Sequence, residues 1–255
     1  DRAEEPEGRV VELGCERRAP DRERALTDKF LARRVSALMV VPSVGADHSH
    51  LKTHRTTGLP VVFLDRPGVG LATDSVVSSN RAGAREGVAH LVAHGHRRIA
   101  FVGDLPLKLY TRRERLAGYR EALQEAGLPA DRALVANAHD RHAASAATAQ
   151  LLALPDPPTA LFAGNNIVAL GIVGELARSK RKDVALVAFD DVELAEALEP
   201  ALTVVAQDPE EIGRAAAATA LARLDGDRTR SRTVTVPTRL IVRGSGERPL
   251  GGDGA

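Results

Sequence analysis

Six short apolar runs, none alternating apolar with polar residues, constrain what this chain can fold into. They are Val10 to Leu13, Ala37 to Val41, Val61 to Leu64, Ile99 to Val102, Ala160 to Ala163 and Val184 to Ala188. A strand that does not alternate is covered on both faces. Between the runs lie helix-length stretches with apolar residues at helical spacing, such as Leu116, Tyr119, Leu123 and Ala126, or Val88, Leu91 and Val92. Strand alternating with helix predicts an α/β chain whose parallel sheets carry helices on both faces. At 255 residues the chain is long enough for one large domain or two subdomains of roughly 100 to 150 residues each.

Local punctuation agrees with that pattern. Thr111 followed by Glu114 has capping-box spacing, and Asp208-Pro209-Glu210-Glu211 offers an N-cap acid with proline at the first helical position. Gly95, Gly127 and Gly226 follow helical runs, where a left-handed C-cap is expected. The chain divides at the charged, proline-containing stretch Asp104 to Arg115, which closes one series of strand and helix units and opens another reaching to about 207.

In open parallel sheets, ligands bind beyond the carboxyl ends of the strands. Those ends here carry Asp65-Arg66, Gly103-Asp104, Gly164-Asn165-Asn166 and Phe189-Asp190-Asp191. Carboxylates accept two hydrogen bonds and guanidinium groups donate in a fork, so this set suits vicinal hydroxyls. The competing reading is that acids and amides follow strands as helix caps. Lys plus Arg (35) nearly balance Asp plus Glu (34), which removes a global electrostatic argument for nucleic-acid binding by these residues alone. The single cysteine, Cys15, cannot form an internal disulfide, and no run of about 20 apolar residues or exported leader is present, so a cytoplasmic location is expected.

Other clusters have plainer readings. His48, His50 and His54 read as a solvated loop rather than a metal site. His94 and His96 flank a helix end, where cations suit the macrodipole. Arg112 and Arg113 beside Arg115 fit either a solvated face or recognition of a phosphate. No G-x-S-x-G, H-E-x-x-H, G-x-G-x-x-G or G-x-x-x-x-G-K motif occurs, so neither enzymatic activity nor a cofactor is expected.

Several ordered motifs together resemble the effector-binding core of LacI/GalR-type bacterial transcription regulators. They include Leu59-Pro60-Val61-Val62-Phe63-Leu64-Asp65-Arg66, Gly95-His96-Arg97-Arg98-Ile99-Ala100-Phe101 and Arg115-Leu116-Ala117-Gly118-Tyr119. Thr159 to Ala163 with Asn165, Asp183 to Val187 with Phe189-Asp190-Asp191, Leu202-Thr203-Val204 with Gln207, and Leu240-Ile241-Val242-Arg243 complete the series. The resemblance implies a periplasmic-binding-protein type I fold: two Rossmann-like subdomains with parallel sheets, joined by three crossovers, holding a small molecule in their cleft. It puts Asp65, Arg115, Asn165 and Asp190 on effector-contacting positions and Tyr110, Thr111 and Phe162 beside them. Asp190 is expected to face the effector freely while Asp191 caps the next helix.

With the helix start at Asp208-Pro209, the resemblance predicts one subdomain from 1–104 with about 208–228, and another from 105–207 with about 229–245. Residues 246–255 are expected to be a flexible tail. The implied function is sensing a sugar or related polyhydroxylated metabolite within a homodimer. Operator DNA would be bound only through a headpiece that these residues do not include, and no membrane is involved. A solute-binding protein of a sugar transporter is the alternative on the same fold. Two departures stand out. The family's first core strand and helix, which precede the strand matched by Val10 to Leu13, have no counterpart here, and Ser79 stands beside Asn80 where the family often carries Asp.

Overall fold

The computed structural model describes residues 2–4, 10–12, 20–104 and 109–248. The chain forms two compact units, 1–76 with 213–234 and 77–212 with 235–255, and so passes between them three times.

In the first unit, α1 (Pro20–Ala32) leads to β3 (Leu38–Val40), α2 (Lys52–Thr56), β4 (Val61–Leu64) and β5 (Asp74–Ser78). Later in the chain, α7 (Pro209–Leu224) and β11 (Thr233–Val236) return to it. The sheet order is β11, β5, β4, β3, with β3, β4 and β5 parallel. Leu38, Leu51, Val61, Phe63 and Leu71 form its buried core, joined by Phe30 and Leu31 of α1. Met39 is 42% exposed, because β3 lies at the edge of this sheet rather than inside it. The expected strand at Val10 to Leu13 takes a different partner. Val10–Glu12 (β2) pairs antiparallel with Arg2–Glu4 (β1) in a separate two-stranded sheet, and Leu13 and Cys15 lie outside the described residues.

The second unit contains α3 (Asn80–Ala93), β6 (Ile99–Gly103), α4 (Tyr110–Glu125), β7 (Val135–Asn137) and α5 (Arg141–Leu152). It continues with β8 (Ala160–Ala163), α6 (Asn166–Arg178), β9 (Ala185–Phe189), β10 (Thr203–Ala206) and β12 (Arg239–Ile241). The sheet order is β12, β10, β9, β8, β6, β7, all parallel except the antiparallel edge strand β12. On one face, Val88 and Leu91 of α3 with Leu116, Tyr119 and Leu123 of α4 cover Phe101, Phe162 and Val187. On the other, Ala144 and Leu151 of α5 with Val168 and Ile172 of α6 cover Val102, Leu161 and Leu186. Each buried Val, Leu, Ile or Phe among them contributes about 1.5–3 kcal/mol by leaving water.

The boundary expected at 104 falls instead at 76. β6 pairs with β7 and β8, so residues 77–104 belong to the six-stranded sheet. The charged stretch that suggested a domain boundary lies between β6 and the first turns of α4, inside one unit.

Helix ends agree only in part with the sequence reading. Asp208 caps α7 by accepting from the Glu211 N–H at 2.9 Å, and Gly95, Gly127 and Gly226 all have positive φ. Thr111, by contrast, is the second residue of α4 and is buried, while the N-cap is Leu109, whose side chain makes no cap bond.

α3 and α4 pack closely at Gly118. A Cβ there would stand 2.1 Å from the Arg81 carbonyl oxygen and 2.9 Å from the Arg85 nitrogen, both rigid backbone atoms. Gly118→Ala is therefore expected to destabilise by about 1–3 kcal/mol, the usual cost of overpacking. Gly174, in α6, meets nothing within 4 Å, so Gly174→Ala should stabilise by roughly 0.5–1 kcal/mol. Urea unfolding of the two variants reads the opposite signs directly.

The segment after Arg243 is docked as far as Arg248. The Ser245 hydroxyl donates to the Leu186 carbonyl at 2.6 Å and accepts from the Thr203 N–H at 2.8 Å, while its backbone bonds Ala201 and Leu186. Glu247 accepts from Thr203 and pairs with His90, and His96, fully buried, bonds the Arg248 carbonyl at 2.9 Å. The flexible tail expected from 246 therefore cannot begin before 249, and 249–255 lie outside the described residues. Ser245→Ala leaves a buried N–H and a buried carbonyl short of a partner, and thermal unfolding should show a loss of about 1–3 kcal/mol.

Candidate functional site

Asp65 and Asp190 share one local geometry in the two units. Each directly follows a buried parallel strand, β4 or β9, and adopts a left-handed backbone, with φ of +66° and +69°. Each donates its N–H at 2.9 Å to the next strand of its sheet, Asp65 to Val76 and Asp190 to Val205. A left-handed residue at the strand end turns the chain sharply while the ladder still closes. Asp tolerates that conformation better than a branched side chain would.

Around Asp190 the second unit builds a polar network. Arg115, only 6% exposed at its side chain, donates from Nη1 to Asp190 Oδ2 at 2.9 Å and from Nη2 to Oδ1 at 3.3 Å. It also donates from Nε to Asn80 Oδ1 at 2.8 Å and from Nη1 to the Gly164 carbonyl at 2.9 Å. Its guanidinium carbon lies 3.8 Å from the centre of the Phe189 ring. Gln207 donates to Asp190 Oδ1 at 2.5 Å and accepts from the Ser78 hydroxyl.

The accounting of donors and acceptors shows what remains available. Four of the five guanidinium N–H groups of Arg115 are used, which leaves one. Asp190 Oδ1 takes two donors and Oδ2 only one, and the side chain stays 21% exposed. Asp190 is thus not free, as expected from sequence, but held. Arg115 and Gln207 fix its orientation and leave lone-pair capacity on Oδ2. A pre-set carboxylate of this kind can accept a hydroxyl group without first losing side-chain freedom.

The other expected residues divide. Asn165 caps α6, its Oδ1 accepting from the Val168 N–H at 2.9 Å, which leaves its amide NH2 for another partner next to the Gly164 carbonyl. Tyr110 opens α4 under the Arg113 guanidinium, 5.5 Å from its ring centre. Thr111 is buried one residue further on. Phe162 does not line a pocket: it is fully buried in β8, whose two faces are both covered by helices. Asp65, in the first unit, receives Arg66 Nε at 2.9 Å and Nη2 at 2.6 Å on one carboxylate oxygen. Asp191 does not cap a helix. It holds Arg243 with two bonds of 2.8 Å, and these bonds keep its carboxyl below the usual range.

The arginines considered for phosphate recognition each have an acid partner, Arg112 with Asp104 and Arg113 with Glu114, which Arg81 shares. His48 is not in a solvated loop. It is buried, with Nε2 2.7 Å from Glu23 and its ring against Phe63. Among the described residues no group of three or more His, Cys, Asp or Glu side chains is placed to hold a metal ion, and no helix is long and apolar enough to cross a membrane.

Gln207 and Asn80 were named in the sequence without a role at the site. Gln207 follows the last residue of β10, so the rule that selected Asp65 and Asp190 also selects it once Thr203–Ala206 is recognised as a strand.

A family model described as a periplasmic binding protein-like domain matches residues 88–246. The solved complex of the transcriptional regulator CelR with cellobiose is 32% identical and superposes with a TM-score of 0.77, over 89% of this chain and 71% of that one. The chain belongs to the LacI family of transcriptional regulators. A LacI-family regulatory protein from Chloroflexus aggregans is 26% identical with a TM-score of 0.79, over 89% of this chain and 83% of that one. The repressor CytR of Escherichia coli K12 is 29% identical over 245 residues, covering 93% of this chain and 70% of the repressor. These LacI-family relatives are regulators rather than enzymes, and the network around Asp190 lies within the matched region apart from Ser78 and Asn80.

Proposed function

We propose that this chain is the effector-sensing and dimerising core of a LacI-type regulator, recognising a sugar or a related polyhydroxylated metabolite through Asp190. The observation that carries the reading is the Asp190 carboxylate, oriented by Arg115 and Gln207 at the carboxyl end of β9 with acceptor capacity left on Oδ2. Asn165 supplies a donor and Arg115 its remaining N–H. Asp65 joins the set on two grounds, the family position it occupies and the backbone geometry it shares with Asp190. The cellobiose bound by CelR supports a sugar as the class of effector. Relatives named as regulators favour this reading over a transporter's solute-binding protein. The protein acts in the cytoplasm as a homodimer, and operator binding belongs to a headpiece rather than to these residues.

A thermal-shift screen against sugars, sugar phosphates and nucleosides tests the reading. A ligand at 100 times its dissociation constant adds about 2.7 kcal/mol of stability. A shift with sugars supports it. No shift with any of these compounds contradicts it.

A further inference from the structure

The first unit has a cavity of about 470 Å³ at the end of its sheet opposite Asp65. Pro60 and Val61 at the start of β4, and Thr73 and Asp74 at the start of β5, form one wall. Asp65 lies past the other end of β4, four residues and roughly 13 Å away at strand rise. The cavity is therefore a separate place on the unit, far from the carboxyl ends of the strands.

Its charges are unevenly matched. At its base Arg223 binds Asp74 through Nε and Nη2 at 2.8 and 2.9 Å, so that pair is neutral within itself. Asp227 accepts from the Thr229 N–H at 2.8 Å and takes its own cation from Arg232 at 3.9 Å, with Arg223 also 3.5 Å away. Arg55, from α2, is held by its bond to the Ser231 hydroxyl at 2.7 Å, and Arg228 also lines the cavity. Among the described residues neither Arg55 nor Arg228 meets a carboxylate, so two cations border the cavity without a counter-charge.

The hydroxyls give the second half of the specification. Thr56 donates to the Thr53 carbonyl, Thr57 to the His54 carbonyl and Thr73 to the Val61 carbonyl, at 2.8, 2.9 and 2.6 Å. Their protons are committed to the backbone, so their oxygens can only accept. A complementary ligand must bring hydroxyl donors to these oxygens and an anion to the two arginines. A phosphate monoester, carrying about −1.5 to −2 at neutral pH, matches two guanidinium groups. The volume falls in the range of about 300–1,000 Å³ typical of small-molecule sites.

We propose that this cavity is a second ligand site, taking a small phosphorylated, hydroxyl-bearing metabolite of the sugar-phosphate class.

Titration calorimetry at constant ionic strength tests it with glucose 6-phosphate, glucose and inorganic phosphate as probes. Glucose 6-phosphate should bind more tightly than either part alone. Arg55→Ala and Arg228→Ala, both on the rim and outside the core, should each weaken it about tenfold or more, the scale of a hydrogen bond to a charged group. Thr73→Val should weaken glucose 6-phosphate but not inorganic phosphate. Asp190→Ala should leave this binding in place, which separates the site from the proposed effector site. Unchanged affinity in the Arg228 variant, loss of binding in the Asp190 variant, or equal heats from sulfate at the same ionic strength would each overturn the proposal.

Discussion

Asp74→Ala is expected to cost about 3–5 kcal/mol, the range for removing one partner of a buried ion pair. The Asp74 side chain is 4% exposed at the start of β5, and its two oxygens receive three donors, Arg223 Nε and Nη2 and the Arg232 N–H at 3.0 Å. Without it, the Arg223 guanidinium, 12% exposed, keeps backbone carbonyls and only the more distant Asp227 carboxylate at 3.5 Å. Whole domains are typically stable by only about 5–15 kcal/mol, so a loss of this size should lower the urea midpoint sharply. Asp183→Ala provides the contrast. Asp183 pairs with Arg181 at 2.8 Å in a half-exposed setting, where a broken pair changes stability by less than about 1 kcal/mol.

The same pair sets an acid limit. Burial pushes the Asp74 carboxyl up, but the hydrogen bonds from Arg223 and Arg232 outweigh it and hold it below the usual range. A carboxyl depressed in the folded state contributes its stability above the ordinary aspartate range and loses it as pH falls through the folded value. Asp74→Asn should therefore be less stable than the unaltered chain near neutral pH, and the gap should close in acid. A gap of constant size from neutral to acid pH would mean that the carboxylate charge is not what stabilises.

Asp190→Ala is expected to weaken effector binding at least about tenfold, since a hydrogen bond to a charged group contributes about 1.5–3 kcal/mol. Arg115→Ala should give the same loss and also lower stability, because Asn80, the Gly164 carbonyl and Asp190 all lose a donor when the guanidinium goes. Asp191→Ala, one residue along, breaks the link to Arg243 and the bond from the Val192 N–H, neither of which involves Asp190, and should leave affinity unchanged. Calorimetry with the identified effector measures all three. Equal losses at Asp190 and Asp191 would point to a general disturbance of the segment rather than to a ligand contact.

What could be read from sequence follows from how local each signal is. Val61–Leu64 and Ala160–Ala163 stand as read, because a continuous apolar run needs no knowledge of its partners. Asp74–Ser78 does not stand out as a strand, because polar residues hold both its ends. Asp74 is buried only through an arginine 149 residues away. Leu202-Thr203-Val204 carries the resemblance but is too short to read as a strand, so Gln207, one residue past Thr203–Ala206, has no role in the sequence reading. His48 reads as solvated among serine, lysine and threonine, yet Glu23 of α1, 25 residues earlier, gives it a buried partner. Asp190 and Arg115 were found by the position of one and the family resemblance of the other. That Arg115 already holds Asp190 is a fact of packing that no spacing announces.

A solved structure of this chain with its effector bound tests the central claim most directly. The account predicts an effector hydroxyl within about 2.5–3.0 Å of Asp190 Oδ2, with the remaining Arg115 N–H or the Asn165 amide donating to the same molecule. An effector bound with no contact to Asp190 or Arg115 would contradict it.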